Sequence, residues 1–282
     1  MNKTNIYLCS FASPNLFLSK IRFNSQLNTF GYYDGYKIFS YNDLPSEAKE
    51  FIKLCKKEKD LRGYGYWIWK PLIIKKYLKS LPKDSILHYC DIGSEFNIYQ
   101  ETKKNFLDDL KKLCEIKNMV AFDYSEPINK DKDLNYKILS EFQFTKNELF
   151  KFYNIDKDSK IYNSPQYSAG SFFLKNCSAS FEFIEEWLKP FRFSKKLVDN
   201  SESSFEQHKK FIEHRHDQSV FSILCKLKNI YTLSVYDYFE HSFYQNIPYW
   251  ENLLVSPLHH KRNLRYVSIN KLFKFLKRKI LS

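Results

Sequence analysis

Glycine is scarce in this sequence, with six in 282 positions. No P-loop, no G-x-S-x-G and no H-E-x-x-H occurs, so the phosphate cradle, the serine elbow and the zinc-protease helix are all excluded as local signatures. Long apolar runs are absent too. Nothing approaches the ~20 apolar residues that a membrane span needs. The opening "MNKTNIYLCSFAS" has too short an apolar core for a signal peptide. The six cysteines, Cys9, Cys55, Cys90, Cys114, Cys177 and Cys225, form no C-x-x-C pair, and several lie inside apolar runs. They read as free buried thiols in a reducing compartment. No internal repeat and no long polar linker appears. The expectation is a soluble, cytoplasmic protein, or one held peripherally on the inner face of the inner membrane.

Acid is missing from the end of the chain. No Asp or Glu follows Glu251, whereas Lys261, Arg262, Arg265, Lys271, Lys274, Lys277, Arg278 and Lys279 all do. Eight of the thirteen net positive charges therefore sit in the last 22 residues. Within them, "INKLFKFLKRKILS" aligns Ile269, Leu272, Phe273, Leu276 and Ile280 at helical spacing. Such a basic amphipathic helix suits an anionic membrane surface through residues 261–282. It equally suits a terminal helix docked on its own domain with a solvated basic face. With the charge so localised and no recognition motif present, nucleic acid is not an expected partner.

The length and 43% apolar content permit one large domain or two small ones. The division expected is a domain over 1–258 and a tail over 259–282. Phe and Tyr are abundant, at 26 and 21, but Lys, Ile and Asn are favoured with them. That mix reflects base composition as readily as any ligand.

Strand and helix patterns alternate. "TNIYLCSF", "YKIFSY", "DSILHYCDIG", "NMVAFDY", "GSFFLKN" and "IYTLSVY" read as strands. "LPSEAKEFIKLCKK", with Ser46 as N-cap, "PLIIKKYLKSL" from Pro71, "ETKKNFLDDLKKLCEI", "SASFEFIEEWLK" and "HDQSVFSILCKLKN" read as helices, and "TKNELFKFY" opens with a Thr145–Glu148 capping box. The alternation predicts an α/β domain with a mostly parallel sheet, whose ligands lie beyond the strand C-termini.

Four segments could carry chemistry. "DLRGYGYWIWKP" (60–71) holds two of the six glycines within three positions and two of the four tryptophans, with Arg62 and Lys70 beside them. It reads as a core aromatic cluster or as a wall where backbone, rings and cations meet a sugar and phosphates. "DIGSE" puts Asp91 where a buried strand runs out. If extended, it turns Asp91, Gly93 and Glu95 to one side, as a cation site or as solvated acids. "HRHDQS" packs His214, Arg215 and His216 ahead of Asp217, either an N-cap or an anion-binding helix start. In "QYSAGSFFLKN", Ala169 and Gly170 permit close backbone approach, or simply a turn.

Together, "RGYGYWIWKP", "ILHYCDIG", "FTKNELF", "SAGSFFLKN" and "EHRHDQSVFSIL" resemble segments of bacterial glycosyltransferases of GT-A type, akin to capsular polysaccharide and lipooligosaccharide sugar transferases. The likeness spans roughly residues 4–235. It implies a Rossmann-like sheet, a nucleotide-sugar donor and a glycan or lipid-linked glycan acceptor. By the resemblance, Asp217 and Asp91 are catalytic. Ser10, Arg62, Gly65, Trp67, Trp69, Lys70, Asp91, Gly93, Arg215 and Gln218 meet the donor, and Ala169 and Gly170 the acceptor. The family's Asp-x-Asp is broken here by Gly93, so Mn2+ or Mg2+ would fall to Asp91, Glu95 and His216. Alternatively Arg62, Lys70 and Arg215 stabilise the diphosphate without metal. A non-catalytic sugar-binding module and a sugar-phosphate transferase use the same crevice and stand as alternatives.

Overall fold

The computed structural model describes residues 4–96, 102–127, 138–238 and 258–259. The strands are β1 (Ile6–Phe11), β2 (Gly35–Phe39), β3 (Ile86–Cys90), β4 (Glu95–Phe96), β5 (Met119–Asp123), β6 (Tyr167–Lys175), β7 (Tyr231–Ser234) and β8 (Leu258–His259). Six of them form one sheet in the order β2-β1-β3-β6-β5-β7. Every neighbouring pair is parallel except those of β6, which runs against both β3 and β5. The mostly parallel α/β sheet is thus present, with one reversed strand at its centre that apolar patterning does not reveal.

Helices cover both faces. They are α1 (Phe17–Phe30), α2 (Ser46–Lys57), α3 (Gly63–Tyr66), α4 (Trp69–Leu78), α5 (Thr102–Lys117), α6 (Glu141–Phe144), α7 (Asn147–Phe152), α8 (Lys160–Asn163), α9 (Ser178–Phe193), α10 (Asp217–Leu227) and α11 (Val235–Tyr238). Strand side chains alternate between the two layers. Cys9, Phe11, Leu87, Tyr89, Phe172 and Leu174 pack with α2, α4, α9 and α10. Leu8, Ile86, Cys90, Val120, Phe122 and Phe173 pack with α1 and α5. Burial on both faces is why these strands read as continuous apolar runs.

Two expected caps fall elsewhere. Ser46 is the first residue of α2, behind Pro45. Thr145 gives its hydroxyl to Glu141 Oε1 at 2.5 Å rather than to a helix end, and α7 starts after Lys146. The capping boxes lie at Ser40–Asp43 and Ser140–Gln143. The boundary expected after residue 258 cuts through β8, where Leu258 pairs with Phe96 and His259 with Glu95. The amphipathic tail lies outside the described residues.

Candidate active site

The site gathers at the C-terminal edge of β3. Asp91 is the first residue past that strand, and its backbone N–H still donates to Gly170 O at 2.8 Å. There β6 departs from regular pairing. On the β5 side Val120 faces Phe173, but Phe122 faces Ser168. The slip frees the backbone between them, as bulges next to functional sites commonly do. Ala169 and Gly170 are therefore inside a strand and not in a turn before one. The Ala169 carbonyl accepts a hydrogen bond from Lys70 Nζ at 3.0 Å.

Lys70 is the centre of the cluster. Its side chain is 3% exposed, and its ammonium lies 2.7 Å from Asp217 Oδ2 and 3.7 Å from Asp91 Oδ1. Asp91 Oδ1 also accepts from Tyr89 OH at 2.6 Å. Asp217 and the Ala169 carbonyl are within hydrogen-bond reach of the ammonium, whereas Asp91 at 3.7 Å is an ion-pair contact only. Lys70, expected to meet the donor, is buried and engaged by Asp217 and Ala169. Burial opposes its charge, but Asp217 and Asp91 outweigh that and raise its pKa. Burial pushes the Asp217 carboxyl up to about 6, against the pull of Lys70 and with a further push from Asp91. One ammonium between two carboxylates carries a net charge of −1 when both are ionised. Asp91 is the more open acid, 41% exposed against 5% for Asp217.

The backbone that delivers Lys70 explains the two glycines. Gly63, Tyr64, Gly65, Tyr66 and Trp67 all have positive φ, from 52° to 89°. The Tyr66 and Trp67 amides bond to the Arg62 and Gly63 carbonyls, so α3 is one turn of left-handed helix. That hand costs about 1–2 kcal/mol for each L-residue and almost nothing for glycine. Gly65 also has no room for a side chain, since a Cβ would lie 2.8 Å from Ile52. Tertiary contacts hold the turn. The Tyr66 hydroxyl accepts from the Asn200 backbone and side-chain N–H groups. Trp69 Nε1 donates to Gly63 O at 3.1 Å, and its ring stacks on Phe11 at 4.1 Å.

Asp217 is delivered by a second strained residue. His216 adopts φ 52°, ψ −118° immediately before α10, and its ring stacks on Trp67 at 5.6 Å and 16°. His216 Nδ1 donates to Val198 O at 2.7 Å, and His214 Nε2 donates to Leu197 O at 3.0 Å. Burial holds His214 well below its usual range and His216 at about 4. Burial therefore favours the neutral form of both rings.

Arg215 and Gln218 lie on either side of Asp217. The Arg215 guanidinium rests 3.8 Å over Phe144, with Nη1 3.4 Å from Gln166 Oε1. Gln218 Nε2 donates to the same Gln166 oxygen at 2.9 Å. Gln166 itself is fully buried and was not among the residues singled out in the sequence. An amide in a loop before a strand carries no signal until the fold shows what it bridges.

The segment after Asp91 is a turn, not an extended strand, because Ser94 N donates to Asp91 O. Asp91 and Glu95 therefore do not share a side as expected, and Gly93 sits within the turn. Arg22 of α1 clamps this turn by donating to the Ile92 and Ser94 carbonyls and pairs with Glu95 at 3.9 Å. The expected metal set of Asp91, Glu95 and His216 does not fit a cation. Among the described residues no three His, Cys, Asp or Glu side chains gather as ligands, and Asp91 already faces an ammonium.

Of the remaining expected contacts, Arg62 lies at the surface against Glu213 and Asn200. Ser10 is fully buried on β1. Gly65 and Trp69 are core, and Trp67 is half-buried against His216.

No protein-family model and no curated protein matches the chain. Solved structures do. A glycosyltransferase involved in glycosylating the major capsid of PBCV-1 is 11% identical at TM-score 0.48, over 97% of this chain and 99% of that one. Mouse xyloside xylosyltransferase 1 is 8% identical at 0.45, over 92% and 98%. The galactosyltransferase LgtC, with donor and acceptor sugar analogs, is 12% identical at 0.41, over 92% and 87%. All three are glycosyltransferases. At such overlap the chemistry of this site is decided by its own atoms.

Proposed function

We propose that the chain is a glycosyltransferase that moves a sugar from a nucleotide-sugar donor to a glycan or lipid-linked glycan in surface polysaccharide or lipooligosaccharide synthesis. The observation that carries this reading is the buried Lys70 set between Asp91 and Asp217 where β3 ends. Breaking a sugar–phosphate bond builds positive charge on the ring and negative charge on the departing diphosphate. The net negative pair of acids suits the first, and the Arg215 guanidinium ahead of α10 suits the second. Asp91, the open acid, faces the ring. Asp217, with its pKa near 6, takes the proton of the acceptor hydroxyl or steadies the cationic centre. The Ala169–Gly170 bulge borders the acceptor. A thermal-shift and turnover screen of UDP-, GDP- and CMP-sugars, each with and without manganese, tests donor class. A folded chain that neither binds nor turns over any of them refutes the proposal. Release of a nucleoside monophosphate would mark a sugar-phosphate transferase instead.

A further inference from the structure

A buried polar knot lies behind the site. Glu141 is fully buried, and its carboxylate is surrounded by donors. Oε1 accepts from Thr145 Oγ1 at 2.5 Å and from Gln166 Nε2 at 3.2 Å, while Oε2 accepts from Ser222 Oγ and Lys226 Nζ. A carboxylate has acceptors only, so the Gln166 amide must turn its nitrogen toward Glu141. Its oxygen is then forced the other way, to Gln218 Nε2 at 2.9 Å and Arg215 Nη1 at 3.4 Å. The backbone of Gln166 is pinned as well. Its N–H donates to Leu139 O at 2.6 Å, and its carbonyl accepts from Tyr124 N at 3.0 Å.

The orientation propagates. With Gln218 Nε2 committed to Gln166, Gln218 Oε1 turns toward the Ala169 N–H at 3.5 Å, on the residue whose carbonyl holds Lys70. The Arg215 fork is limited in its swing by Gln166 on one edge, Glu213 Oε1 at 3.4 Å on another and the Phe144 ring beneath. Its remaining N–H groups are the cationic donors nearest Asp217 in sequence.

We propose that Gln166 is a positioning residue whose amide, fixed at one end by Glu141, aims Arg215 at the diphosphate of the donor. The assignment rests on the glycosyltransferase reading. It adds that anion affinity is set from behind the site by a side chain that never meets the substrate.

The test is a double-mutant cycle on the full chain, read by calorimetric titration of inorganic pyrophosphate. Gln166→Met removes the bridging oxygen at similar volume. It should weaken pyrophosphate binding about tenfold, the loss of one hydrogen bond to a charged group. Arg215→Gln should weaken it further. In the Arg215→Gln background the additional effect of Gln166→Met should shrink to about twofold, because Gln166 acts through Arg215. Equal effects in both backgrounds, or none in either, would overturn the role of Gln166 while leaving Arg215 at the anion. If pyrophosphate does not bind, or binds Arg215→Gln as tightly as wild type, the diphosphate is not at Arg215 and the proposal goes with it. Should Gln166→Met fail to fold, Gln166→Asn serves the same cycle, since its shorter amide cannot span both Glu141 and Arg215.

Discussion

At the residue scale the decisive fact is that Lys70 is buried and paired with Asp217. The buried ammonium is expensive to remove, because its loss leaves the buried Asp217 carboxylate without its counter-charge. Lys70→Met should cost about 3–5 kcal/mol of stability by urea unfolding, as broken buried pairs do. Activity should follow pH through Asp217. Its pKa is raised from 3.8 to about 6, so the acid is protonated below that value and turnover should fall on the acidic side with a midpoint near 6. Lys70 pulls that value down and Asp91 pushes it up. In a Lys70→Met protein that still folds, the acidic limb of kcat/KM should therefore move to higher pH. A limb that stays in place would separate Lys70 from Asp217. The linkage to stability has the opposite sense. Between 3.8 and 6 the folded chain holds a proton that the unfolded chain releases, so ionising Asp217 lowers stability as pH rises through that window. Asp217→Asn should reduce kcat by about 10²–10⁴-fold, the usual worth of a positioned acid or base. Asp91, Lys70 and Asp217 were all marked in the sequence. Their meeting in one pocket follows from the expected crevice, but their ion pairing does not, because a pair between residues 147 apart in sequence leaves no local pattern.

At the scale of elements, the left-handed turn at 63–67 turns glycine scarcity into a measurable liability. Gly65→Ala would hold a Cβ at φ 89° and 2.8 Å from Ile52 Cγ1. The backbone penalty is about 1–3 kcal/mol, and overpacking adds about 1–3 kcal/mol. A thermal melt several degrees below wild type is the expected result, with lost activity as Lys70 shifts. Gly65→Ala melting like wild type would show that the turn is not left-handed. The sequence raised the right question here, since two of its six glycines fall within three residues. It suggested close approach to a ligand, whereas the structure answers with backbone handedness. The same limit explains the Asp91–Glu95 segment. Side-chain alternation holds only if the chain stays extended, and the Ser94–Asp91 hydrogen bond with the Arg22 clamp turns it instead. Helix α1 was not foreseen at all, because its apolar residues are interleaved with polar ones and give no strong stripe.

For the whole molecule, the alternation of strand and helix was legible because burial on both faces writes it into the inner strands β1, β3, β5 and β6. Strand order was not, because apolar runs carry no register, so the reversed β6 and the short β4–β8 pair emerged only from the fold. The charge distribution bears on partners at the same scale. Eight basic residues and no acids follow position 260, and each basic group near an anionic bilayer is worth about 1 kcal/mol. A lipid-linked acceptor would make such attachment useful, since it confines enzyme and acceptor to one surface. Leu258 is fully buried, and β8 reaches His259. Truncation must therefore spare this strand, and a chain ending at His260 separates the tail from the domain. That shortened chain should keep its melting temperature and its turnover of a soluble acceptor. It should lose co-sedimentation with vesicles of anionic phospholipid, whereas the full chain should bind them and release as salt rises, because screening weakens the attraction. Equal binding by both chains would move the membrane contact onto the domain itself. A collapse in stability on truncation would instead show residues 261–282 to be a docked helix of the core.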